Sequence, residues 1–199
     1  MQLGEIASVK TGLVLTRKKA EVQYDAQATY KLITIKNISE EGWIENDSFE
    51  EFISNDILAK RYFTETGDVL MRLSQPFTAV YIDEEHRGLL IPSYFAIIKV
   101  NQEVVLPQYM AWYLNTDFVK KELERAHAGS RIPSTNINVI RNLSVKLTTL
   151  SNQEKLIELY CLHQKEKQLY KQLIAEKEKW FRGITQQILQ ETTRRQSNG

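Results

Sequence analysis

Three short stretches of the sequence concentrate side chains that can contact a nucleic acid. Arginine, lysine, asparagine, glutamine, serine and threonine bond to base edges, and lysine, arginine and backbone amides bind phosphates. The candidate DNA-binding residues are Thr16, Arg17, Lys18 and Lys19 in the first stretch, Arg72, Ser74 and Gln75 in the second, and Gly129, Ser130, Arg131, Thr135 and Asn136 in the third. Arg131 has the geometry to bind guanine in bidentate fashion or to clamp a phosphate. The alternative is that these stretches are solvated turns, with Ser134 as a plain helix cap.

The sequence lacks the patterns that cofactor or metal chemistry would need. An S-adenosylmethionine or dinucleotide site requires a glycine-rich turn between strand and helix, whereas the eight glycines are scattered and no G-x-G occurs. Adjacent carboxylates lie beside turn signals, and the three histidines are widely separated in the sequence. We therefore predict a non-catalytic protein with no cofactor and no metal site.

Charge and cysteine content restrict the function classes further. Residues 1–150 hold 17 Lys and Arg against 19 Asp and Glu, a net charge of −2, and residues 151–199 hold 9 against 6, a net charge of +3. A DNA-binding surface in the first part must therefore be a local patch, and it would bind weakly alone. The single Cys161, the absence of a long apolar run and the polar N-terminus favour a cytoplasmic protein with no membrane association.

The elements that must position these stretches indicate an α+β fold. Alternating or β-branched apolar residues predict strands at residues 30–35, 68–73, 79–82 and 94–100. Helical spacing predicts one helix at residues 54–62, capped by Ser54, and another over residues 108–126, after Pro107. We expect residues 1–150 to form one mixed α/β domain.

Residues 151–191 are expected to form one long, coiled-coil-like helix, followed by a frayed tail at 192–199. Apolar residues recur there at three- and four-residue spacing, although Glu166 and Glu176 interrupt the seam. The residues expected on the dimer or partner face of the helix are Leu159, Leu162, Leu169, Leu173, Trp180 and Ile184. The helix is longer than the domain needs for its own core, so its apolar face predicts a partner.

Three longer segments together resemble the specificity subunits of type I restriction-modification systems. They are QLGEIASVKTG at the start, TGDVLMRLSQPFTAVYI continuing through LLIPSYFAIIKVNQEVVLPQYMAWYLNT, and HAGSRIPSTNINVIRNLSVKLTTLSNQEKLIEL before the long helix. The order and spacing of the three segments carry the resemblance. The sequence departs from the family pattern at Thr148 and Thr149, where prolines are usual.

The resemblance implies a "half" specificity subunit, because full-length members have two recognition domains and two long helices. It implies a homodimer that reads double-stranded DNA at a bipartite inverted repeat and docks methyltransferase subunits on its helices, with restriction or motor subunits as further partners. The alternative is an adaptor or inhibitor that joins a specificity complex through the helix without reading DNA. The target sequence and the gap length are not encoded in any pattern of the chain.

Overall fold

Six strands and five α-helices make up a computed structural model that describes residues 1–21, 25–45, 48–126 and 134–196. The strands are β1 (Ala7–Thr11), β2 (Ala28–Leu32), β3 (Glu50–Ser54), β4 (Val69–Arg72), β5 (Ala79–Tyr81) and β6 (Phe95–Val100). The helices are α1 (Leu3–Ile6), α2 (Pro107–Leu114), α3 (Asp117–Ala126), α4 (Ile137–Arg141) and α5 (Leu150–Gln196). Single turns of 3-10 helix occupy Leu15–Arg17, Ile35–Asn37 and Lys60–Tyr62. The predicted α+β class is confirmed.

A four-stranded antiparallel sheet in the order β1-β6-β4-β5 organises the domain. Side chains alternate across each strand, so Val69 and Met71 pack on one face with the core residues of α1 to α4, whereas Leu70 packs on the other face with loop residues. Since β6 is antiparallel to both β1 and β4, its first residue, Phe95, lies at the same edge of the sheet as Thr11 and Arg72. The chain segments that follow β1 and β4 therefore leave the sheet at one edge.

Strands β2 and β3 form a separate antiparallel pair in register from Ala28 with Ser54 to Leu32 with Glu50. The predicted helix at residues 54–62 is wrong. Ser54 ends β3, and its hydroxyl donates to the Asp56 carbonyl at 2.8 Å instead of capping a helix. Ile57, which the helical pattern placed on an apolar face, is 68% exposed, so no core contact favours a helix there.

The other predicted elements agree more closely with the structure. The strands predicted at residues 68–73, 79–82 and 94–100 correspond to β4, β5 and β6, and the strand predicted at 30–35 ends earlier, at Leu32. The single helix predicted over residues 108–126 is two helices, α2 and α3. Asn115 interrupts them, because its side chain accepts from the Ala79 amide at 2.9 Å and donates to the Ala79 carbonyl at 2.7 Å.

Backbone pairing also joins the first residues to the segment before α5. The Leu3 amide donates to the Leu143 carbonyl at 2.9 Å, and the Val145 amide donates to the Met1 carbonyl at 2.8 Å. These bonds pair the first residues of the domain with the segment that immediately precedes α5.

The first two turns of α5 belong to this domain. The buried Gln153 side chain accepts from the Leu106 amide at 2.9 Å and donates to the carbonyls of Val104 and Thr148 at 3.1 and 2.9 Å. Leu156 and Ile157 pack against the core. The chain divides into two units after Ile157.

From Glu158 onwards α5 is a single unit that continues past the predicted end at residue 191 to Gln196. The whole of α5, Leu150–Gln196, has 47 residues, which correspond to a length of about 70 Å at 1.5 Å per residue. The predicted apolar residues are exposed, at 64% for Leu159 and 68% for Trp180. Ile184 is half-buried. Within the described ranges, no helix is long and apolar enough to cross a membrane.

Candidate nucleic-acid interface

The first candidate stretch leaves β1 through a close contact at Gly12. The Gly12 amide donates to the Phe95 carbonyl at 3.1 Å, and a Cβ at this position would lie 2.2 Å from the Pro92 carbonyl oxygen. Only glycine therefore allows the backbone to pass this close to Pro92. The next residue is fixed as well, since the Leu13 amide donates to the Ile91 carbonyl at 2.7 Å. The chain consequently enters the 3-10 turn Leu15–Arg17 from a fixed position.

The basic residues of this stretch differ in how far their charge is neutralised. Lys18 Nζ lies 2.5 Å from a carboxylate oxygen of Asp56. This hydrogen bond and the Lys18 charge hold the pKa of Asp56 below its usual value. Arg17 and Lys19 are exposed and form no ion pair with a described residue. Arg17 and Lys19 are therefore better placed than Lys18 to meet a phosphate.

The second stretch is a tight turn between β4 and β5. Arg72 Nη2 donates to the Gln75 carbonyl at 3.2 Å, and the Phe77 amide donates to the Ser74 carbonyl at 2.9 Å. The Gln75-Pro76 peptide bond is cis, and the buried Phe77 has a positive φ of 53°. The turn holds Ser74 half-buried and Gln75 exposed at the edge of the sheet.

Arg72 is partly buried, and burial lowers the pKa of its guanidinium while the Glu40 carboxylate opposes that shift. Its Nε is buried and has no hydrogen-bond partner within the described part of the chain. A guanidinium that has already lost part of its hydration gives up less water on meeting a base or a phosphate. The end of β4 therefore presents a partly dehydrated donor.

The third stretch joins the second directly. Ser134 forms a β-bridge with Ser74, and the Thr135 amide donates to the Leu73 carbonyl at 2.7 Å. Thr135 is buried, whereas Asn136 is exposed and caps α4, because its side-chain oxygen accepts from the amides of Asn138 and Val139 at 2.9 and 3.1 Å. The helix cap is thus Asn136 and not Ser134. Gly129, Ser130 and Arg131 lie outside the described residues.

The topology therefore brings the second and third predicted stretches into contact at one edge of the sheet. The first stretch leaves that edge at Gly12, and its basic residues pair with the end of β3, where Lys19 forms a β-bridge with Ser54. Sequence reasoning did not find the cations beside these stretches, Lys10 and Arg141, which line a groove with Arg61. Only Arg61 had a local signal, as part of a Lys-Arg pair. Within the described ranges, no group of three or more His, Cys, Asp or Glu side chains could hold a metal ion.

Two solved structures have the same fold as this chain. The HsdS subunit from Thermoanaerobacter tengcongensis superposes with a TM-score of 0.67 at 19% sequence identity, over 88% of this chain and 44% of that subunit. A chain from a structure on the complex assembly and conformational transition of the type I restriction-modification system superposes with a TM-score of 0.66 at 18% identity, over 86% and 43%.

The chain thus spans less than half the length of either relative. No family model and no curated protein matches its sequence. At these identities the likeness is one of fold, and it extends over nearly the whole chain. This protein therefore has the fold of the specificity subunits of type I restriction-modification systems.

Proposed function

We propose that this protein is a sequence-specific DNA-recognition subunit of a type I restriction-modification complex. One observation carries the proposal: the second and third stretches, whose side chains can contact DNA, meet at one edge of the sheet, and the first stretch leaves the sheet at that edge, in a fold that HsdS also has. Base reading requires donors from several segments on one surface, with phosphate contacts that set the register. In this proposal Arg17, Lys19, Arg72 and Gln75 contact DNA, together with Arg131.

The second part of the proposal is a homodimer through α5. Leu162, Leu169 and Leu173 are 66%, 57% and 51% exposed, on the seam that the heptad spacing defines. An exposed apolar stripe of this kind, although Glu166 and Glu176 interrupt it, is unfavourable in water and is typical of an interface. A second copy provides a matching stripe, because a two-fold axis pairs a surface with itself.

The form of the target follows from such a dimer. Two identical readers related by a two-fold axis see the same bases on opposite strands, so the target is an inverted repeat. Antiparallel helices of about 50 to 60 Å hold the two readers apart. Each half-site is then short, about three to five base pairs, and unread base pairs separate the two.

Methyltransferase subunits are the proposed partners of the helix pair. A second row of exposed apolar residues flanks the seam, formed by Tyr170, Ile174 and Phe181, which are 58%, 59% and 63% exposed. This row makes the apolar surface wider than a two-stranded coiled coil needs. Restriction or motor subunits are further candidate partners. In this proposal the partner subunits carry out methylation and cleavage of the DNA.

A second candidate function is an adaptor or inhibitor that joins a specificity complex through α5 without reading DNA. The net charge of −2 over residues 1–150 favours it, since phosphate neutralisation supplies most non-specific affinity for DNA. This candidate differs from the first in one measurable property, sequence-selective binding.

Methylome mapping separates the two candidates. The chain is produced with a type I methyltransferase subunit, and methylated sites are mapped across the host genome, with the methyltransferase alone as the control. Methylation at a bipartite inverted repeat that depends on this chain supports DNA recognition by a homodimer. A complex that forms but adds no chain-dependent methylation would favour the adaptor. An asymmetric target would instead indicate pairing with a different specificity polypeptide.

A further inference from the structure

A surface groove of about 390 Å³ runs beside β1, an outer strand of the four-stranded sheet. Lys10 and Thr11 from β1, Arg61 and Tyr62 from a 3-10 turn, and Arg141 from α4 contribute to its walls. Three cations from separate parts of the chain therefore meet at one groove. Within the described ranges, no carboxylate lines it.

Two of these cations are held in place by contacts with uncharged groups. Arg141 Nη2 donates to the Val9 carbonyl at 2.8 Å, and Arg61 Nη2 donates to the Tyr62 hydroxyl at 3.0 Å. The Arg61 guanidinium carbon lies 4.8 Å from the centre of the Tyr62 ring. These contacts restrict the side chains and leave their positive charge intact, which lowers the entropy lost on binding an anion.

Several other cations of the domain are neutralised by carboxylates. Lys18 pairs with Asp56, and Lys99 lies 2.9 Å from a carboxylate oxygen of Asp68. By contrast, Lys10, Arg61 and Arg141 form no ion pair with any described residue. In a region with a net charge of −2, this groove is thus a local positive patch.

The groove adjoins the candidate interface. Thr11, in its wall, directly precedes Gly12 and the first candidate stretch, and Ile137, also in the wall, directly follows Asn136 of the third. Short runs of the chain therefore join the walls of the groove to both stretches. We infer that the groove binds the phosphodiester backbone of DNA beside the bases that are read, an inference that rests on the proposed function. Guanidinium groups suit this ligand because their donors match two phosphate oxygens.

The test measures how DNA binding depends on salt. Lys10→Ala, Arg61→Ala and their combination are compared with the parent, each with the methyltransferase subunit, on a matched duplex and on a random duplex. The slope of log K against log salt changes by about 0.9 for each phosphate contact. We expect each single variant to decrease the magnitude of the slope by about 0.9 and the double variant by about twice that. Affinity should fall equally for the matched and the random duplex.

Lys155→Ala is the matched control. Lys155 is exposed and lies two residues after Gln153, whose side chain bonds to Val104 and Leu106 beyond the far end of β6. Removing this charge is expected to leave the slope unchanged. Lys10→Gln with Arg61→Gln preserves more of each side chain and is the second double variant, with the same expected slope as the alanine pair. Arg141 is left intact because it holds the edge of β1.

The outcomes distinguish this inference from the proposed function. If the parent complex binds DNA and both double variants keep its affinity and slope, the groove does not hold the backbone, and the inference fails while DNA recognition stands. If the parent complex binds no duplex selectively, the proposed function fails and the inference fails with it. A decrease of about 1.8 in the magnitude of the slope for both double variants, with unchanged base preference, supports the inference.

Discussion

The apolar residues of the two units face opposite environments. In the first unit Leu3, Met110 and Leu114 are fully buried, with 0% exposure, whereas Leu159 and Leu162 on α5 are 64% and 66% exposed. The domain buries most of its large apolar side chains, whereas the helix after Ile157 leaves most of its own exposed. The same residue type therefore stabilises the domain by packing within the chain and is available on α5 for packing between chains. Substitutions in the core should therefore destabilise the domain, whereas substitutions on the apolar face of α5 should weaken association between chains.

The largest expected effect is on association. Replacing Leu169 and Leu173 together with glutamate removes two leucines from each copy, each contributing roughly 1.5 to 3 kcal/mol when buried, and adds the cost of burying charge. We expect the parent to be a dimer and the variant a monomer in sedimentation or light scattering. Gln164→Glu with Gln168→Glu adds the same charges at the same four-residue spacing, off the seam, and should remain dimeric. A monomeric parent at micromolar concentration, with the helix folded, would contradict the dimer.

The next effect is on the stability of the domain. Leu114→Ala leaves a cavity in the core, and we expect the free energy of unfolding to fall by about 2 to 5 kcal/mol. Leu162→Ala is the matched change on α5, and it should alter the free energy of unfolding by less than about 0.5 kcal/mol. Both are measured by urea denaturation in the Leu169→Glu, Leu173→Glu background, so that association does not contribute. Equal losses would mean that Leu162 is buried within its own chain.

Glycine substitutions are expected to have opposite signs in the two units. Gly12→Ala places a Cβ 2.2 Å from the Pro92 carbonyl oxygen, which must shift, and we expect a loss of about 1 to 3 kcal/mol. Gly183→Ala lies on α5 with no heavy atom within 4 Å of the added Cβ among the described residues. Greater helix propensity should stabilise that unit by about 0.5 to 1 kcal/mol. Thermal denaturation followed by circular dichroism measures both, and a stabilising Gly12→Ala would contradict the close approach.

DNA binding should be altered by changes in the first unit that leave association intact. We expect Arg131→Ala to weaken binding to the matched duplex by about 1 to 3 kcal/mol and to change base preference. Lys18→Ala should weaken binding to all sequences alike, with a smaller loss than Arg17→Ala because Lys18 is paired with Asp56. Competition binding on matched and random duplexes measures both. Equal losses on the two duplexes for Arg131→Ala would remove it from the base-reading residues.

The sequence predicted correctly those strands and helices that depend on residues close together in the chain. Strand β6 begins with an apolar run from Phe95 to Ile98 because both faces of the sheet are covered there. Pro107 begins α2, as its fixed φ favours. The long helix was predicted from its composition. The convergence of the candidate stretches was not predicted, because it depends on the strand order β1-β6-β4-β5.

Elements that depend on distant partners escaped prediction. Strand β1 is short and half exposed, and it forms because it pairs with β6. Strand β3 forms by pairing with β2. After Ser54 the Asn55 amide donates to the Lys18 carbonyl. The Leu58 amide donates to the Tyr30 hydroxyl, and these long-range bonds replace the predicted helix. The cationic groove was missed for the same reason, since Arg141 reaches a carbonyl 132 residues away in the sequence. Such a cluster has no spacing that a local pattern could reveal.

The pairing of Met1 with Val145 and of Leu3 with Leu143 has a consequence for synthesis on the ribosome. Residues 1 to 3 meet their partners only after about 140 further residues have been made, which takes roughly 7 to 30 seconds at 5 to 20 residues per second. Long-range closure of this kind slows folding. The apolar stripe of α5 begins after Ile157, so all segments of the domain are translated before the surface proposed for a second copy is complete.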